Sequence, residues 1–170
     1  MMCGITGTPG TGKSAIADEL AQRGHKVVHI TDIVQPYVIG DDEKRDTQVI
    51  DVDRLVDEFE PVNGFVEGHF AHLLPCDRVV VLRCRPDELG KRLKKRKYHP
   101  TKIRENVEAE ALDCILVETV EEYNPLHILE IDSTGRDPVW CADRIEQFTK
   151  GEIPASFGTI DWSSFVEPGP

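Results

Sequence analysis

Gly7-Thr8-Pro9-Gly10-Thr11-Gly12-Lys13-Ser14 fits the pattern G-x-x-x-x-G-K-[ST], a loop whose glycines let successive backbone N–H groups turn inward around a polyphosphate. Its flanks decide what the match means. Met-Cys-Gly-Ile-Thr before it reads as a buried strand, and Ser-Ala-Ile-Ala-Asp-Glu-Leu-Ala after it reads as a helix, so the positive end of that helix would lie beneath a bound anion. The loop residues Gly7, Pro9, Gly10, Thr11, Gly12, Lys13, Ser14 and Ala15 are therefore candidate ligands of a nucleotide triphosphate. Lys13 would reach the β and γ phosphates and the Ser14 hydroxyl would ligate Mg²⁺.

Outward from the loop, short apolar runs at 2–6, 26–30, 64–67, 78–84 and 127–131 predict strands. Between them, helical spacing predicts helices over 13–22, 53–59, 86–97, 101–123 and 138–148, with Gly24 placed to stop the first and Pro86 to open the third. Alternating strands and helices predict an α/β fold: a five-stranded parallel sheet with helices on both faces. Two stretches break the alternation. Residues 31–51 are charged and without clear period, and 95–105 is basic and interrupted by Tyr98-His99-Pro100; irregular inserts in a small domain carry function more often than architecture. Residues 151–170 read as a tail docked on the core.

The chain has 170 residues, the size of one domain, and no apolar run long enough to span a bilayer. Thirty-one acidic against twenty basic residues leave a net charge of -11, which opposes diffuse attraction to nucleic acid or anionic lipid. The opening residues carry neither a basic flank nor a signal-length apolar stretch, and the five cysteines form no C-x-x-C pair. A cytoplasmic protein with reduced thiols is the expectation.

The loop alone does not say what becomes of the triphosphate. No N-K-x-D guanine motif follows it. Magnesium calls for an acid at the end of a neighbouring strand, and Glu67, closing Phe65-Val66-Glu67, fits. His69 then falls beside the phosphates. Glu67, His69 and His72 together could instead imitate a metal site, but the strand-end position already explains Glu67, and the two histidines have no third protein ligand nearby. Arg92 and Arg96, four apart on one helix face, head the only dense basic patch in an acidic chain, next to the 95–105 insert. Their planar guanidinium groups suit a transferring phosphoryl group, the alternative being a solvated basic face. Acidic residues from Glu105 through Glu122 lie on a helix whose buried stripe is Ile103, Val107, Ala111 and Cys114, and most of them read as its wet face.

Taken together, G-T-P-G-T-G-K-S, D-x-x-R-D-T-x-V-I-D-x-D-x-L ending at Leu55, E-G-H at Glu67, L-x-x-R-L-x-x-R-x-Y over 89–98 and K-I-x-E-N-V-E-A-E over 102–110 make the chain resemble the atypical adenylate kinases of the isoenzyme-six type. That archaeal and eukaryotic family also acts in maturation of the small ribosomal subunit. The resemblance covers most of residues 1–150 and implies a P-loop, nucleoside-monophosphate-kinase-like core. It implies an NMP-binding insert near 29–50 and a short lid near 95–105. It further implies the reaction ATP + AMP ⇌ 2 ADP with Mg²⁺, and an ATPase side activity. The family's other role would make the chain an ATPase assembly factor in rRNA processing, with a small-subunit ribosomal protein or pre-ribosomal RNA as partner. Carried over by position, Gly10, Gly12, Lys13 and Ser14 bind ATP phosphates, Arg96 is the lid arginine assisted by Arg92, and Arg136 contacts the adenine side. Asp32 and Arg45 fall on the AMP side, and Ser14 and Glu67 hold Mg²⁺, partly through water. His69 matches a histidine linked to ATP hydrolysis. Two departures stand out: Gln35 where an arginine is common, and Ala15 where a threonine is common. A monomer or weak dimer is expected.

Overall fold

The computed structural model describes residues 1–42 and 47–166. In chain order the elements are β1 (Met2–Thr6), α1 (Lys13–Gln22), β2 (Val27–His29), α2 (Ile30–Ile33), β3 (Val38–Asp42), β4 (Thr47–Ile50), α3 (Val52–Glu58) and β5 (Gly64–Glu67). They continue with β6 (Arg78–Arg83), α4 (Pro86–Lys95), α5 (Pro100–Ala111), α6 (Cys114–Glu122), β7 (Ile128–Asp132) and α7 (Pro138–Thr149). The main sheet has five strands in the order β2-β5-β1-β6-β7, every pair parallel. β3 and β4 form a separate antiparallel pair.

Side chains alternate across the sheet and both faces are covered, as a parallel sheet requires. Cys3, Ile5, Val80, Leu82, Leu129 and Ile131 pack with Ile16 and Leu20 of α1 and Ile145 and Phe148 of α7. On the other face, Met2 and Val66 meet Leu55 of α3, and Val79, Val81 and Ile128 meet Leu116 of α6. A separate apolar cluster of Leu89, Leu93 and Ile103 joins α4 to α5. The connection from β1 to β2 runs to one side of β1 and that from β5 to β6 crosses to the other, so the carboxyl end of β1 is the switch point where such sheets bind ligands. The Gly7–Ser14 loop begins there.

The expected strands and helices are present with ends shifted by a residue or two, but two features differ: the stretch expected to be irregular, 31–51, contains the β3–β4 hairpin, and one expected helix is divided. The helix expected over 101–123 is two helices, broken at Leu112-Asp113, where Asp113 adopts the left-handed conformation (φ 57°). Beyond α7, Ser156 bridges to the free edge of β7, donating to the Ile128 carbonyl at 3.1 Å and accepting from the Glu130 N–H at 2.7 Å. Ile153, Ala155 and Phe157 pack on the core, and the turn Ser163–Phe165 lies against α5.

Candidate active site

The phosphate loop takes its shape from backbone that only glycine tolerates well. Gly7 has φ 142°, and a Cβ there would sit 2.4 Å from the Leu82 carbonyl oxygen. Gly12, at φ 102°, opens α1 without any side-chain cap, which leaves first-turn N–H groups for an anion. The Lys13 ammonium donates to the carbonyls of Gly7 (2.7 Å) and Thr8 (3.1 Å). Burial, opposed by Glu67 and Glu110 and aided by Arg96, lowers its pKa to about 8.

Glu67 ends β5 and is paired in register with Ile5 of β1 and His29 of β2. Neighbouring strands thus bring an imidazole to the carboxylate: His29 Nδ1 is 2.9 Å from Glu67 Oε2. The other carboxylate oxygen accepts from the Ser14 hydroxyl at 3.4 Å. The two residues expected to hold a divalent ion are therefore adjacent, with His29 fixing the acid from behind. His69 lines the same cleft. Crowding by protein, together with the Lys13 and Lys102 cations and His72, drives its pKa down to about 4, so the ring is neutral at pH 7.

One cleft of about 1260 Å³ runs from this loop to the 95–105 segment and the β3–β4 hairpin. Lys13, Ser14, Glu67 and His69 line the loop end, Arg96, Tyr98 and Lys102 the side of the α4–α5 connection, and Asp41, Thr47 and Gln48 the hairpin side. A site for a single small ligand occupies roughly 300–1,000 Å³, so this cleft lies just above the usual range for one.

Residues 3–113 match the family model described as an AAA domain. A protein named "Putative adenylate kinase" in Archaeoglobus fulgidus is 40% identical over 171 residues, covering 98% of this chain and 94% of that protein. Its namesake in Pyrococcus furiosus is 38% identical over 172 residues with the same two coverages. That of Natronomonas pharaonis is 40% identical, covering 98% of this chain and all of its own length. The chain belongs to this archaeal adenylate-kinase family. It is accordingly an enzyme of the nucleotide-kinase type. Among solved structures, the deoxyadenosine kinase of M. mycoides superposes with a TM-score of 0.58 at 15% identity over 90% of this chain and 100% of its own. A sugar kinase from Janibacter gives 0.55 at 18% identity, over 88% and 94%. Likeness at that level is one of fold.

In this adenylate-kinase family member the expected site residues fall into two groups. Pro9, Gly10, Gly12, Lys13, Ser14, Glu67, His69 and Arg96 share the main cleft. Arg92 does not line it: α4 ends at Lys95, so Arg92 stays on the helix and turns toward the carbonyls of Gly10 and Ser133, 3.5 Å from each, while Arg96 caps the helix and faces the cleft. Arg136 stacks on Trp140 at 4.5 Å and lines a second cavity of about 300 Å³ at the end of β7. Asp32 is exposed on α2, and Arg45 lies outside the described residues. Ala15 is exposed on the first turn of α1.

The largest correction concerns Glu110. It is not on a wet face but 2% exposed. Its carboxylate accepts from Thr8 Oγ1 (2.6 Å), Arg83 Nε (2.8 Å) and the Cys84 N–H (3.0 Å). The clue in the sequence was Arg83, an arginine at the end of the apolar run Val79-Val80-Val81-Leu82, which cannot be buried without an acid. Ser133, also unforeseen, ties the turn after β7 to the loop by donating to the Thr11 carbonyl at 2.7 Å.

Proposed function

We propose that the chain is a magnesium-dependent adenylate kinase catalysing ATP + AMP ⇌ 2 ADP, with slow ATP hydrolysis when the acceptor is absent. The observation that carries this reading is the continuous cleft lined by the phosphate-loop residues Lys13 and Ser14, by Glu67, by Arg96 on the 95–105 segment and by Thr47 and Gln48 of the hairpin. In the forward step, an oxygen of the acceptor phosphate bonds to the γ-phosphorus as the bond to the β,γ-bridging oxygen breaks. The charge left on that oxygen stays on the product ADP. Little covalent help is needed: the chain aligns, neutralises and excludes water.

The donor set suits magnesium. Mg²⁺ keeps several waters and takes one or two protein oxygens beside the phosphates, so the Ser14 hydroxyl and the Glu67 carboxylate are the residues that would hold it. No larger cluster is needed, and among the described residues there is none. Bound there, it would neutralise charge on the β and γ phosphates. Lys13 exchanges its loop carbonyls for phosphate oxygens, and Arg96 and Lys102 reach the phosphates from the lid side. His69, neutral and facing the cleft, is placed to hold a water when no acceptor is bound.

The test is chromatography of diphosphates after incubation with ATP, magnesium and each nucleoside monophosphate in turn. ADP formation that depends on AMP supports the reading. Indifference to AMP, with hydrolysis stimulated by a small-subunit ribosomal protein or pre-ribosomal RNA, would transfer the assignment to an assembly ATPase. Turnover with a nucleoside but not AMP would point to a different acceptor.

A further inference from the structure

Glycine-rich backbone has little preference for any one curl, so the shape of the phosphate loop has to be imposed by its surroundings. Thr8, 3% exposed, is where this is done. Its carbonyl accepts from Lys13 Nζ (3.1 Å), Thr11 Oγ1 (2.9 Å) and the Thr11 N–H (3.2 Å). Its hydroxyl, on the other side, donates to Glu110 Oε2 at 2.6 Å. Glu110 lies in the last turn of α5, part of the helix pair that carries the lid.

A carboxylate in the last turn of a helix meets the negative end of the helix dipole and is unfavourable there unless a cation answers it. Arg83 answers it. It bonds Glu110 Oε1 through Nε (2.8 Å) and caps the helix by donating from Nη2 to the Glu110 carbonyl (2.9 Å). It also pairs with Asp113, at the α5–α6 break, and with Glu130 of β7 at 2.5 Å. The other oxygen of Glu130 accepts from the N–H groups of Gly158 (2.8 Å) and Thr159 (3.4 Å) in the C-terminal segment. One guanidinium therefore faces three carboxylates. A buried ionic knot of this kind is seldom the most stabilising filling for its volume, and here it ends on the residue whose carbonyl holds the loop lysine.

We infer that Glu110 is a positioning residue for the triphosphate, holding the phosphate loop in its open curl through Thr8 and linking that curl to the seat of the lid helix α5. The inference deepens the kinase reading and rests on it for the identity of the ligand. Arg83 orients Glu110, and Glu130 with the C-terminal segment orients Arg83. None of the three touches the cleft.

The test compares the full chain with Thr8→Val, Thr8→Ser and Glu110→Gln. Amide hydrogen exchange of residues 7–12 without nucleotide should accelerate in Thr8→Val and Glu110→Gln and stay near wild type in Thr8→Ser, which keeps the hydroxyl. In the ATP reaction, losing one hydrogen bond to a buried carboxylate should raise KM for ATP about tenfold and move kcat less, again with recovery in Thr8→Ser. Loop exchange unchanged in Thr8→Val, or equally fast in Thr8→Ser, would overturn the inference. Should Glu110→Gln not fold, the Thr8 pair still decides. Loop exchange is read without substrate, so a wild-type chain whose ADP formation does not depend on AMP would sink the kinase reading while leaving this result intact.

Discussion

At the scale of single residues, Lys13 shows how the loop's own carbonyls hold its cation. With its ammonium buried against the Gly7 and Thr8 carbonyls and its pKa lowered to about 8, the neutral form gains ground as pH rises past that value. Phosphate prefers the charged form, so binding draws a proton from solvent above pH 8. ATP affinity should therefore hold below pH 8 and fall above it by up to about tenfold per pH unit, with proton uptake measurable by calorimetry in buffers of different ionisation enthalpy. A Lys13→Arg variant, charged throughout, should lose that slope. Arg96 makes no ion pair shorter than 4 Å among the described residues, and it faces the cleft. Arg96→Ala should lower ADP formation by at least about tenfold while thermal melting stays put, because the side chain neutralises transferring charge without holding the fold. An active Arg96→Ala enzyme, or one that melts early, would contradict that.

At the scale of elements, what could be read from sequence tracks burial. β1, α1 and β5 were legible because apolar runs meet a loop whose chemistry fixes strand, turn and helix together. The break between α5 and α6 was not, because Ile103, Val107, Ala111 and Cys114 keep their spacing across it and no glycine or proline marks the left-handed Asp113. The β3–β4 hairpin was hidden for the opposite reason: its residues are exposed or only half-buried, so neither face shows an apolar alternation. The loop, the strand-end acid Glu67 and Arg96 could be named as candidates and do line one cleft, whereas Glu110 was camouflaged among solvated acids of its own helix. Arg83 should bear this out in stability. Removing it as Arg83→Ala strands three carboxylates, two of them almost fully buried, and should cost about 3–5 kcal/mol in urea unfolding. A loss well under that would mean the acids find other partners.

At the scale of the whole molecule, the parallel sheet ends on β7, and the C-terminal segment closes that edge at Leu129 and Ser156. Deleting residues 152–170 should expose unpaired strand edge and the Glu130 carboxylate, giving a lower melting temperature and aggregation visible by light scattering. A truncated chain that stays monodisperse and melts like the full one would show that the edge needs no cover. The stacking of Arg136 on Trp140 has a practical corollary. The chain has two tryptophans, and this one touches a guanidinium at the mouth of the second cavity, so a molecule that pulls the cation away alters the electrostatic surroundings of the indole. Emission of Trp140, isolated in a Trp162→Phe chain, should therefore shift when that corner is filled, and emission that stays constant on adding nucleotide would show the stack undisturbed.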